Sequence, residues 1–486
     1  MRSEPETPGQ DYEPTPAEEL LARAKRRGLA TRRRRVLGAG GSLALVVALV
    51  LGGIFIPGGV GPQHSTNATG RVFVSTRIGS AYELTAQEAP YPGAAPSVAK
   101  TVQGAEIAFS LELMNRLAVA GDSANELISP SSLATALAML ELGAKGTTER
   151  GIATALHSAG LSASEQAAGW RSLAALLAGE TSTTGNDLKR VPELDIANAL
   201  WVQKDINIDA GFVRALSREF RTGVWKVDFA NELTAATDAI NQWTSENTKG
   251  SIKQLFSPGA LTPTTVLVLA DAVFFHSKWA CEFETSTTSL PFFLATGKSE
   301  SVPFMSSAPT DSANPLTVPV ATSARYVAVQ LPYAGRKLSA LVLMPIGTTL
   351  PSFLSSLTPA LLARIVGSMA PESVDLSMPT FTLRADNQLN GTLSSMGMEQ
   401  AFGIGADFSK IALYPPLEVH AVEQHAYLQV TPKGTTAAAA TGIGVVGTVA
   451  REGAGPIVID HPFLFLVRDN ATGTIIFESM VENPAS

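Results

Sequence analysis

Gly434-Thr435-Thr436-Ala437-Ala438-Ala439-Ala440-Thr441-Gly442-Ile443-Gly444-Val445-Val446-Gly447-Thr448-Val449-Ala450 contains no charge and no proline. A surface loop is ordinarily polar, whereas these side chains are small, apolar and compatible with a strand. In extended form Thr435, Ala437, Ala439 and Thr441 share one face, so the segment could become a strand in a covered sheet. Composition alone leans instead to a Gly/Ala linker or an ordinary core segment. Just upstream, Ala426, Leu428 and Val430 alternate with His425, Tyr427 and Gln429, the pattern of a strand with one apolar face. Downstream, Phe463–Val467 and Thr474–Phe477 flank a turn-forming stretch and predict a hairpin.

Further out, Val266–Phe275 is apolar on both faces except at Asp271, which predicts a central strand covered on both sides. Leu338–Met344 is a second run of this kind. Ser129-Pro130 places a capping hydroxyl before a first-turn proline, and Leu133, Leu137 and Leu140 then line one helical face up to a stop near Gly143. Phe109, Leu113 and Leu117 also recur at helical spacing. Strands and helices cluster rather than alternate, so the predicted class is α+β. Composition is continuous over 98–486, which reads as one domain.

The chain has 486 residues, a net charge of -7 and a single cysteine, Cys281. A disulfide scaffold and a Cys-type zinc site are therefore excluded, and the missing basic excess argues against a nucleic-acid partner. Residues 1–35 run the other way, with nine Lys or Arg against six Asp or Glu, and read as a disordered cytoplasmic tail. An uncharged run follows within 36–60. Its 21-residue apolar core, Val36–Ile56, is long enough to cross a bilayer as a helix. The arginines before it orient the N-terminus to the cytoplasm, leaving the body extracellular on a single-pass membrane anchor. A cleaved secretory signal, or a twin-arginine signal built on Arg34-Arg35, is the competing reading. Residues 61–97, with Gly, Pro, Ser, Thr and Ala, read as a flexible tether. The Ala-, Gly- and Arg-rich composition leans towards a bacterial surface protein.

Catalytic and metal motifs are missing. His420 and His425 stand five apart, which suits neither a helical metal pair nor one face of a regular strand, so no metal site is expected. Gly143-Ala144-Lys145-Gly146-Thr147-Thr148 lacks the spacing and the ending of a phosphate loop. There is no Gly-x-Ser-x-Gly elbow. Cys281, beside Trp279 and Phe283, reads as a small buried hydrophobe.

The order of short motifs resembles the serpin family from about residue 100 to 484. Carrying it are Asn125-Glu126-Leu127-Ile128-Ser129-Pro130-Ser131-Ser132, Leu140–Thr148, Ile196–Trp201, Asn241-Gln242-Trp243, Asn247-Thr248-Lys249-Gly250 and Ala270–Phe275 with Lys278-Trp279. Leu331-Pro332-Tyr333, Met378–Phe381, Met396-Gly397-Met398, Ala406–Ser409, Gly434–Thr441 and Asp460–Phe465 complete the series. The resemblance implies three β-sheets, about nine helices and an exposed reactive-centre loop on a metastable body. It also implies that the protein is no enzyme and needs no cofactor. Instead it would be an irreversible suicide-substrate inhibitor of serine, or else cysteine, endopeptidases. The partner would be a target serine protease held covalently by a monomer, trapped when the cleaved loop enters the main sheet. The alternative within the family is a non-inhibitory carrier, chaperone or scaffold.

Site residues follow from the same resemblance. Gly434, Thr435, Thr436, Ala437, Ala438, Ala439, Ala440 and Thr441 form the hinge, which needs small uncharged residues and no proline. The reactive bond falls at Thr448-Val449 by one count and reaches Arg451 by another. The aliphatic surroundings favour the first and an elastase-like or subtilisin-like target. Ser129 and Ser132 match a polar cluster beneath the sheet. Its histidine falls on Gln424, with His425 the alternative should the register slip, and its asparagine is Asp271 here. A buried carboxylate needs a partner, so the Gln424 amide is expected to donate to Asp271. Trp279 matches the tryptophan where the hinge enters. Pro432 and Thr436 stand where the family usually has Glu, and Ser479 where it usually has Gly.

Overall fold

A computed structural model describes residues 71–87, 93–120, 125–181, 192–281, 283–284, 287–307, 316–436 and 456–486. The chain divides after Gly61, and all described residues belong to the unit Pro62–Ser486. The apolar run 36–60 lies outside them. Among the described residues, no single helix is long and apolar enough to cross a membrane.

Three sheets and nine α-helices make up the described part. The large sheet runs, edge to edge, through Val72–Ile78, Ala81–Ala86, Val224–Val227, Glu193–Gln203, Leu267–Lys278, Gly434–Thr436, Ala421–Thr431 and Phe381–Gln388. Leu267–Lys278 is buried along its first nine residues, as a strand covered on both faces must be. A second sheet of seven strands has Leu338–Pro345 and the hairpin Phe463–Asp469/Ile475–Val481 at its centre. A third has four strands, Ile457–Val458, Leu376–Pro379, Ser299–Ser306 and Thr288–Phe293. Aromatic side chains join the first two sheets, with Phe275 edge-on to Tyr333 at 5.1 Å and Phe381 edge-on to Phe465 at 5.4 Å.

Helix Pro130–Glu141 has eleven of its twelve residues buried, which places it inside the body rather than on it. It packs against Glu193–Gln203, Leu267–Lys278 and Ile475–Val481. The Ser129 hydroxyl departs from its expected capping role. It donates to Ile476 O at 2.6 Å, and no side-chain cap closes the helix. On the opposite face of the large sheet, Trp201 stacks on Trp225 at 4.9 Å and meets Trp243 of helix Leu233–Asn247 edge-on.

Within the tether expected over 61–97, the structure corrects residues 72–86. Val72–Ile78 and Ala81–Ala86 form a hairpin about Gly79-Ser80, with Gly79 at φ +56°, and extend the large sheet by two strands. Tyr82, Glu83 and Leu84 pair with Lys226, Trp225 and Val224. Ile78 and Ala81 are buried in the tryptophan cluster. A Gly-Ser turn between β-forming runs is a recognisable hairpin signal; the surrounding Pro, Gly and Thr residues mask it.

Candidate functional site

The site lies where Leu267–Lys278 and Ala421–Thr431 diverge. Their lower halves pair directly and in parallel, with Ala421–His425 opposite Val268–Ala272. At the upper end Gly434–Thr436 lies between them. Thr435 pairs with Ser277 on one side and Val430 on the other, and Gly434 with Lys278 and Thr431. The two strands thus form a fork, and the chain leading into the charge-free segment is already wedged in its mouth.

Local chemistry explains the wedge. Thr431 and Gly434 close a two-residue hairpin over Pro432-Lys433, so Pro432 occupies a turn where no N–H is required. Gly434 has φ +151°, and a Cβ there would lie 2.1 Å from Ser277 O, so only glycine fits. Trp279 secures the turn: its indole Nε1 donates to Thr431 O at 2.9 Å and its backbone N to Lys433 O at 3.3 Å. The ring stacks on Tyr333 at 4.7 Å with planes 9° apart. Thr435 is fully buried, its hydroxyl 2.7 Å from the Tyr333 hydroxyl. Burial without a cation raises the Tyr333 phenol well above its ordinary value.

Near the crotch of the fork lies a buried polar cluster. Gln424 Nε2 donates to Asp271 Oδ2 at 2.6 Å, spanning the two strands at the register Gln424↔Asp271. The Ser132 hydroxyl donates to Asp271 Oδ1. Gln424 is tied to Ser129 at both ends, accepting from its N at 2.7 Å and donating to its O at 2.9 Å. Asn198 Nδ2 donates to Ser132 O at 3.1 Å. Asp271 and Gln424 are both fully buried. Burial pushes the Asp271 carboxyl up to about 7, against the opposing pull of its two donors.

The alternative partner, His425, points to the other face, where Nδ1 lies 3.0 Å from Asp386 Oδ1. The alternation of a strand forces this, because Gln424 and Ala426 face inward. Two members of the arrangement had no role in the sequence reading. Tyr333 directly follows strand Tyr326–Pro332 of the second sheet and Asn198 sits on a neighbouring strand, so only pairing and packing bring them in. Ala437–Thr441, Thr448, Val449 and Arg451 lie outside the described residues. Among the described residues no group of three His, Cys, Asp or Glu could hold a metal.

Comparison with known proteins gives this arrangement a context. The family model for serpins, serine protease inhibitors, matches residues 105–484. Plasminogen activator inhibitor 1 of Sus scrofa is 32% identical over 382 residues, covering 77% of this chain and 91% of that protein. A serpin-like protein of Thermococcus kodakarensis is 31% identical, covering 79% and 86%. Among solved structures, native protease nexin-1 with heparin has a TM-score of 0.67 at 25% identity, covering 79% of this chain and all of that one. Thyroxine-binding globulin in complex with thyroxine has the same score at 26% identity, covering 79% and 99%. The hairpin Val72–Ala86 precedes the matched region. Through residues 105–484 the chain belongs to the serpin family.

Proposed function

We propose that this protein is a suicide-substrate inhibitor of serine proteases of elastase-like or subtilisin-like specificity. The observation that carries the reading is the wedge: Gly434–Thr436 is paired on both sides within the mouth of a fork whose strands zip directly below it. The family description, serine protease inhibitor, and relatives named as inhibitors, such as plasminogen activator inhibitor 1, support it.

The protease serine oxygen attacks the Thr448 carbonyl carbon. The Thr448–Val449 C–N bond breaks, the Val449 amine leaves with a proton, and the protease remains as an ester on Thr448. Freed of its far end, the segment continues down the fork. The registers observed at Thr435 extend to a single solution, with Ala437 opposite Phe275 and Leu428, Ala439 opposite Val273 and Ala426, and Thr441 opposite Asp271 and Gln424. All of these would face inward. Alanine suits the apolar levels, and the Thr441 hydroxyl suits the polar one.

Incubation with elastase, subtilisin and trypsin tests the reading. An SDS-stable complex and a released fragment beginning at Val449 are expected; a fragment beginning at Glu452 moves the bond to Arg451. Cleavage with no complex and no rise in melting temperature overturns the proposal. It favours the carrier role for which thyroxine-binding globulin, solved with thyroxine, is the structural neighbour.

A further inference from the structure

Asp271 is a fully buried carboxyl whose hydrogen-bonding partners carry no charge. From helix Pro130–Glu141 it meets Ser132, with Ser129 behind through Gln424; from Ala421–Thr431 it meets Gln424; from Glu193–Gln203 comes Asn198, bonded to Ser132. No Lys, Arg or His is among its bonding partners. The titratable groups nearest in sequence on the facing strand, Glu423 and His425, point to the opposite face, towards Gln388 and Asp386. The Asp271–Gln424 bond is placed where it matters: it bridges the two strands with only Ala272↔His425 above it before direct pairing ends. Any strand that advances down the fork from Thr435 must part these two side chains. Parting them widens the gap by one strand spacing, about 4.8 Å, and admits water.

We propose that Asp271 and Gln424 form a proton-operated latch, in which a protonated Asp271 keeps the fork closed and an ionised Asp271 lets it open. The proposal rests on the reading above that a strand enters this fork. A carboxyl in the closed, dry cluster holds its proton up to about pH 7, whereas a hydrated one releases it near 4. Between those values the closed form binds more protons than the open form. Opening therefore becomes easier as pH rises through this window, by at most tenfold per unit, and levels off above it. A protonated Asp271 still accepts from Gln424 Nε2 at Oδ2 and can donate from Oδ1 to the Ser132 hydroxyl, so the neutral cluster is bonded without a buried charge. Acidity thus slows strand entry and neutrality permits it.

The test uses the full chain and a fluorescein-labelled synthetic peptide with the sequence of residues 437–446, which begins below the level already filled by Thr435 and Thr436, its rate of entry being followed from pH 5.5 to 8.5. Expected is a rise of about tenfold or more between pH 5.5 and 7.5, then a plateau. Asp271→Asn removes the slope, while Glu423→Gln leaves it. Should Asp271→Asn fail to fold, Ser132→Ala serves: it removes a donor that favours the ionised form, so the bend in the profile moves to higher pH. A flat profile in the wild type, or an unchanged slope in Asp271→Asn, overturns the latch. Entry with the expected slope but no SDS-stable protease complex leaves the latch standing and removes the inhibitor reading. Failure of the peptide to enter at any pH removes both.

Discussion

Replacing Thr435 by arginine tests the wedge most directly. The native residue is fully buried, its backbone paired on two sides and its hydroxyl 2.7 Å from that of Tyr333. Tyr333 packs on Phe275 and Trp279, so this corner is aromatic and dry. The side chains that line it, Tyr333, Phe275 and Trp279, offer a guanidinium no carboxylate. Burying even a neutral polar group unpaired costs about 2–7 kcal/mol, and a charge costs more. Taking about 4 kcal/mol as the added barrier to hinge entry, entry slows by roughly a thousandfold at 1.36 kcal/mol per decade. Hydrolysis of the acyl-enzyme, thirteen residues further along the chain, is untouched. The race between trapping and hydrolysis is then lost, and Thr435→Arg is cleaved as a substrate. The assay is a gel of equimolar protein and subtilisin or elastase, read with residual protease activity. Expected are fully cleaved protein, free active protease and no SDS-stable band, with Thr435→Ser behaving as wild type. Thr435→Arg forming complex at wild-type yield would falsify the argument that this side chain must be buried for trapping.

Gly434→Ala places a methyl 2.1 Å from Ser277 O at a φ hostile to side chains. At about 1–3 kcal/mol of backbone strain or more, the wedge should leave the fork, seen as changed Trp279 fluorescence and more inhibitor consumed per protease trapped. Ser217 Oγ accepts from Ala86 N at 2.8 Å and bonds Thr85 Oγ1 at 3.0 Å, docking the hairpin on helix Ala210–Phe220. Ser217→Ala should cost about 1–3 kcal/mol and speed amide exchange at Ala86, while leaving protease trapping intact. Glu141 and Glu478 are pushed up to about 8 by burial, and Asp271 and Glu423 to about 7. These groups hold protons in the native state that the unfolded chain has lost above about pH 4.5. Stability therefore falls as pH rises from 5 to 8. His425, lowered mainly by burial, opposes this below about 6.5 as a single group. The guanidinium midpoint of the uncleaved protein should be higher at pH 5 than at pH 8, and Glu478→Gln should narrow the difference; a midpoint that climbs towards pH 8 rules the reasoning out.

Much of the site was legible because strand periodicity is strict. The alternation Ala426, Leu428, Val430 puts Gln424 inward and His425 outward, as found. Val266–Phe275, with one acid in an apolar run, marked both a central strand and the place of its polar contact. The hairpin Val72–Ala86 was missed because its outer strand faces solvent along most of its length and so lacks clean alternation. The Ser129 hydroxyl was misassigned for a related reason. Local pattern favours the cap, while the acceptor that takes it, Ile476 O, lies 347 residues away.

The amino-acid order alone determined the central strand around Asp271, the C-terminal hairpin and the helix after Ser129, which stretch is bland enough to slip between strands, and which residues could form a polar cluster. These are properties of neighbours along the chain, where period, size and charge act within a few residues. Only the folded molecule decided that the bland stretch begins inside a fork, that Tyr333 receives its first hydroxyl, and that the expected contact of Asp271 with Gln424 lies just below the point where the two strands part. Those depend on register between segments more than a hundred residues apart. Register is set by the packing of whole faces, which no local pattern carries.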